Sequence, residues 1–135
     1  MSPLVYVAGP FSAPTREGVE RNIERAVLVG IEIARLGACP VIPHANTAHP
    51  EFERCQPYEF WLSATRELMF RCDVVLMLDG WERSNGATLE HERALEVGMP
   101  VAPNLEALEE WLQLWRQLQG WKVKWQPRSV AKCTC

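Results

Sequence analysis

Apolar positions along the chain follow two different periods. Leu4-Val5-Tyr6-Val7-Ala8 is a short, unbroken apolar run that ends at Gly9-Pro10, and it predicts a buried strand. After a loop over Phe11 to Thr15, apolar or small residues recur at Val19, Ile23, Ala26, Val27, Gly30, Ile31 and Ala34. Their spacings of three and four predict one helix stripe, with Gly37 as its stop. Cys39 to Pro43 reads as a second short strand carrying prolines near both ends. Residues 44–57 have no period and many breakers, and read as a loop. A second helix is expected from Pro57 to Arg71, with Tyr58, Trp61, Leu62, Thr65, Leu68 and Met69 facing inward. Asp73-Val-Val-Leu-Met-Leu-Asp79 is the clearest strand, apolar throughout its middle as in parallel sheets buried on both faces. Gly80 to Asn85 forms a loop, and a third helix runs from Gly86 to Glu96 with Gly98 as its stop. Met99 to Ala102 is a last short strand. Asn104 then caps a helix whose apolar face carries Leu105, Leu108, Leu112, Trp115 and Leu118.

Four strand–helix pairs in one chain predict an α/β domain. Its sheet should be parallel, with helices on both faces and right-handed crossovers. In such sheets ligands sit outside the carboxyl ends of the strands. That rule alone selects Gly9-Pro10-Phe11-Ser12 after the first strand, His44 after the second, and Asp79 to Gly86 after the third.

Composition narrows this picture slightly. At 135 residues there is room for one core. With 47% apolar and 23% charged residues, global disorder is not expected. No apolar run is long enough for a membrane span, and the N-terminus lacks a basic region before a long apolar core, so a cytoplasmic, membrane-free protein is expected. The net charge of -3 argues against a partner held by nucleic-acid phosphates. Residues 120–135 hold Lys122, Lys124, Arg128 and Lys132 and no acid, a basic tail on an acidic body. That tail is either a solvated end or a docking segment. The cysteines are Cys39, Cys55, Cys72, Cys133 and Cys135. An odd count without an export signal implies reduced thiols, and no second ligand pair accompanies Cys133 and Cys135 for a metal site.

The candidate chemistry centres on Glu90. It follows Gly86 by four positions and precedes Ala94 by four, so it shares a helix face with small residues that should look at the sheet. Ser84 or Asn85 can cap that helix and aim free N–H groups into the site. A carboxylate there can stay ionised under the dipole and act as a nucleophile, with attack on an anomeric carbon as suitable chemistry. It can equally be a structural acceptor for the first strand's loop. Phe11 is either a core side chain or a platform for a flat base. His44 and His49 are turn residues or site residues. Asp79 can bind a sugar hydroxyl or cap the Gly80-Trp81 turn. Neither a GxGxxG fingerprint nor a GxxxxGK[ST] loop is present, and no cofactor is expected. The tryptophans Trp111, Trp115, Trp121 and Trp125 read as packing, with a subunit interface where one small sheet cannot bury them.

Three segments together carry a family pattern. They are Tyr6-Val-Ala-Gly-Pro10, Asp73-Val-Val with its strand, and Gly80-Trp81-Glu-x-Ser84-x-Gly86-x-x-x-Glu90-x-x-x-Ala94. Over about residues 4–103 the chain resembles the nucleoside 2-deoxyribosyltransferase-like superfamily, which includes the deoxynucleoside 5'-monophosphate N-glycosidases. The resemblance implies a single-domain, Rossmann-like or flavodoxin-like three-layer sandwich over residues 1–120, with a four- to five-stranded, mainly parallel sheet and residues 121–135 as tail. It implies Glu90 as nucleophile, forming a glycosyl-enzyme ester that water or a second base resolves with retained configuration. Gly9, Pro10, Phe11 and Ser12 would contact base and sugar, and Ser84 and Gly86 would hydrogen-bond substrate. Ser12, Thr15, Arg16 and Ser84 are the candidate phosphate donors. Members are commonly dimers or larger, with neighbouring subunits completing the site.

The chain also departs from the family pattern. Ser84 stands where the transferases carry an Asp six residues before the nucleophile, which favours hydrolysis over transfer. The helix before the third strand offers Thr65, Arg66 and Glu67 where members often have an Asp. Glu67, Asp79 and His44 are therefore the candidate general acids. A nucleoside or nucleotide hydrolase leads, with a deoxyribosyltransferase or a non-catalytic nucleotide-sensing module as alternatives.

Overall fold

The computed structural model describes residues 2–118. The basic tail, with Trp121, Trp125, Cys133 and Cys135, lies outside the described residues. Four parallel strands form one sheet in the order β2-β1-β3-β4: β1 (Leu4–Ala8), β2 (Cys39–Val41), β3 (Val74–Met77) and β4 (Val101–Ala102). β1 pairs with β2 from Leu4↔Cys39 and with β3 from Val5↔Val74. Six helices cross between or follow them: α1 (Arg16–Arg35), α2 (Pro43–Asn46), α3 (Glu51–Cys55), α4 (Tyr58–Phe70), α5 (Asn85–Glu96) and α6 (Leu105–Leu118).

The two central strands are buried on both faces, and alternation divides their side chains between two cores. Val5, Val7, Val74 and Leu76 pack against Ala26 and Ile33 of α1 and Leu108 and Leu112 of α6. Tyr6, Ala8, Val75 and Met77 pack against Met69 of α4 and Ala94 of α5. The result is a single-domain, three-layer α/β sandwich. No described helix is long and apolar enough to cross a membrane.

The helix ends follow their chemistry. Thr15 Oγ1 accepts from Gly18 N, Ser84 Oγ from Ala87 N and Asn104 Oδ1 from Ala107 N. Both expected glycine stops are Schellman ends. Gly37 (φ +83°) donates to Ala34 O while Ala38 N reaches Ile33 O, and Gly98 (φ +73°) donates to Leu95 O while Met99 N reaches Ala94 O.

Several expectations are corrected. Residues 44–57 are not one loop: Pro43, fixed at a helix-ready φ, starts α2, and α3 follows. The second, third and fourth strands are shorter at their ends than expected, β4 being two residues long. On α1 the buried stripe is Val19, Ala26, Gly30 and Ile33, while Ile31 and Ala34 face outward. The stripe of a straight helix advances by 3.6, so a run read in steps of four drifts off the core. Tyr58 on α4 and Leu118 on α6 are also exposed.

Candidate functional site

The carboxyl ends of β1, β2 and β3 open onto one cavity of about 740 Å³. Its size suits a small-molecule ligand. The β1–α1 loop, α2, α3, the first turns of α4, the Asp79–Ser84 turn and the N-terminal half of α5 supply its walls.

Glu90 sits on this cavity, on the α5 face that also carries Gly86 and Ala94. Its Oε1 accepts a hydrogen bond from the Tyr6 hydroxyl at 3.0 Å. Tyr6 is fully buried in the middle of β1. Burial raises the Glu90 carboxyl from an ordinary 4.5 to about 7, with the Tyr6 bond opposing. Burial first, and then the Glu90 charge, raises the Tyr6 hydroxyl well above its usual range. The expectation that the helix dipole keeps Glu90 ionised is therefore corrected. Glu90 is the sixth residue of α5, and the dipole's influence fades beyond the first turn.

The β1–α1 loop is pinned from three sides. Leu78 N donates to Ala8 O at 2.8 Å, and Asn22 Nδ2 donates to Phe11 O at 3.0 Å. His44 Nε2 donates to Gly9 O and Pro10 O, both at 3.1 Å. Gly9 is needed for this closeness, because a Cβ there would stand 2.7 Å from Leu78 Cβ and Cδ1. His44 is 4% exposed, its Nδ1 has no partner among the described residues, and its ring meets Phe11 edge-on at 5.9 Å. Burial lowers its pKa, opposed by the hydrogen bonds to the Gly9 and Pro10 carbonyls. With Nε2 bound to two carbonyls, His44 serves as a strut for the loop.

Of the sequence-predicted residues, Gly9, Pro10, Phe11, Ser12, His44, Asp79, Ser84, Gly86 and Glu90 all border this one cavity. Asp79 is exposed on its wall. Arg16 does not border it: its Nη2 donates to Ala48 O and its Nε lies 3.4 Å from Glu20 Oε1. Thr15 is occupied as the α1 cap. Glu67 is exposed and away from the cavity. The sequence reading missed Tyr6 as a site residue, and with it the Phe52, Tyr58 and Trp61 wall and the cavity arginines Arg25 and Arg83. A tyrosine inside an otherwise apolar buried strand was the available signal, since its hydroxyl needs a partner.

A family model matches residues 3–103, the stretch from β1 to the residue after β4. The chain belongs to DUF4406. This family is described as a domain of unknown function. No curated protein matches the chain. The matched stretch of this DUF4406 member contains every candidate residue from Tyr6 to Glu90. Among its described residues no group of three His, Cys, Asp or Glu side chains is arranged to hold a metal.

Proposed function

We propose that this DUF4406 domain cleaves the N-glycosidic bond of a nucleoside or nucleoside 5'-monophosphate, with Glu90 as nucleophile, as its resemblance to the deoxyribosyltransferase-like superfamily implies. The observation that carries the reading is the Tyr6–Glu90 pair. A half-buried carboxyl borders a ligand-sized cavity at the carboxyl ends of parallel strands, with one oxygen fixed by a buried hydroxyl. In the first step a Glu90 oxygen bonds to C1' and the base departs with the bonding pair, taking a proton. Water then attacks C1' and displaces Glu90, giving the free sugar with retained configuration. Desolvation makes the ionised carboxylate a stronger nucleophile, and Tyr6 keeps it oriented. Asp79, on the same cavity, is the carboxyl assigned to proton transfer with the base and the incoming water. Ser12, Ser84 and the α5 N-terminus are the groups for sugar or phosphate oxygens.

One observation favours a second reading. A carboxyl raised to about 7 is also suited to donate a proton, as a general acid to the departing base. The two roles give opposite pH dependence. A nucleophile gains activity as pH rises through about 7, and an acid loses it.

The test is a chromatographic screen for free base, using each deoxy- and ribonucleoside and its 5'-monophosphate, with Glu90→Gln in parallel. Base release by the wild type and not by the variant is expected. Release by both removes Glu90 from the mechanism. An added acceptor base that yields a new nucleoside would indicate transfer instead of hydrolysis. The superfamily resemblance also carries a homodimer or larger assembly, which sedimentation of the full chain checks.

A further inference from the structure

The N-terminal half of α4 presents a stripe of Tyr58, Trp61, Leu62 and Thr65 to the cavity, at spacings of three, four and seven. The same stripe continues to Met69 in the core. Trp61 is fixed from both sides. Its Nε1–H donates to Phe52 O at 2.9 Å, and Phe52 and Phe60 meet its ring edge-on at 5.7 and 4.9 Å. Phe52 and Tyr58 also border the cavity, yet they remain 38% and 51% exposed. No residue from Glu51 to Phe60 is buried. Phe52 and Tyr58 thus keep ring surface open at the cavity wall, beside a Trp61 ring held in place by its neighbours. Phe11 adds a further ring from the β1–α1 loop.

We infer that Phe52, Tyr58 and Trp61 seat the planar leaving group, so that the cavity takes N-glycosides of heteroaromatic bases and holds the base by its faces. The inference rests on the N-glycosidase reading for the fate of the base but not for its binding. Stacking is tolerant, because every base has a π-face, and it is worth about tenfold or more in affinity per ring removed. The seat therefore selects for a flat ring and discriminates little between purine and pyrimidine.

The probes are adenine, cytosine and ribose 5-phosphate, titrated into Glu90→Gln protein while tryptophan fluorescence is followed. Nucleoside 5'-monophosphates are titrated alongside. The expected result is saturable quenching by both bases and by the monophosphates, and none by ribose 5-phosphate. Tyr58→Leu and Phe52→Leu in the same background should each raise the dissociation constants about tenfold. Trp61→Phe should remove most of the fluorescence change while calorimetry still detects binding. In the active enzyme the two leucine variants should raise KM more than they lower kcat. Unchanged affinity in both leucine variants overturns the inference, as does saturable binding of ribose 5-phosphate without any binding of the bases. Base binding that depends on these rings, with no N-glycoside cleaved, would sink the catalytic reading and leave the seat standing. Cleavage with KM untouched in both variants would do the reverse.

Discussion

Among the described residues Glu90 has one hydrogen-bond donor, Tyr6, and its burial carries a cost in stability. Its folded pKa of about 7 lies above its ordinary 4.5, so the folded chain holds more protons than the unfolded chain between those values. Stability therefore falls as pH rises through that window and levels off above it, with a total of about 3 kcal/mol as an upper bound. Glu90→Gln should melt higher than the wild type at pH 8 and close to it at pH 5. An equal gap in melting temperature at both pH values would contradict this. Tyr6→Phe removes the donor and leaves the ring. With the proposed nucleophile no longer oriented, turnover should drop about 10- to 100-fold. The midpoint of its pH profile should move upward, and a profile with an unmoved midpoint would dissociate Tyr6 from Glu90. The location of Glu90 was legible in the sequence from the small residues four positions on either side. Its charge was not, because ionisation depends on how much water the other elements exclude. Tyr6 was hidden for a related reason: an unbroken apolar run marks it only as a core residue.

Among the elements, the β1–α1 loop is closely constrained. Gly9→Ala would drive a Cβ against Leu78, whose backbone N is already bound to Ala8 O. Overpacking of this kind costs about 1–3 kcal/mol. The variant should unfold at lower urea and also lose activity, because Phe11 takes its position from the same loop and His44 is bonded to it. A Gly9→Ala protein with wild-type urea midpoint would show that the loop gives way freely. The long helices were legible because their stripes run for three turns or more, and α1 and α5 also end at glycines with left-handed φ. α2 and α3 span four and five residues, too few to display a helical period, so they read as loop. The α4 stripe was read correctly as one face, but period alone does not distinguish a face turned to a core from a face turned to a cavity.

For the molecule as a whole, the alternation of strands and helices was enough to predict a parallel three-layer fold with its ligand site at the carboxyl ends of the strands. The strand order was not legible, because buried strands of similar composition can be exchanged without altering the pattern. Stability should be distributed accordingly. Amides of the buried β3 should be among the slowest to exchange with solvent, and those of α3, which buries no residue, among the fastest. Bound nucleotide should slow α3 exchange if Phe52 covers the base, and leave it unchanged otherwise. The Tyr6–Glu90 bond joins residues 84 positions apart in the chain. A ribosome must therefore extrude three strands, four helices and the first half of α5 before the pair can meet. The growing polypeptide lacks the Tyr6–Glu90 pair for most of its synthesis, and acquires it only as the last crossover closes.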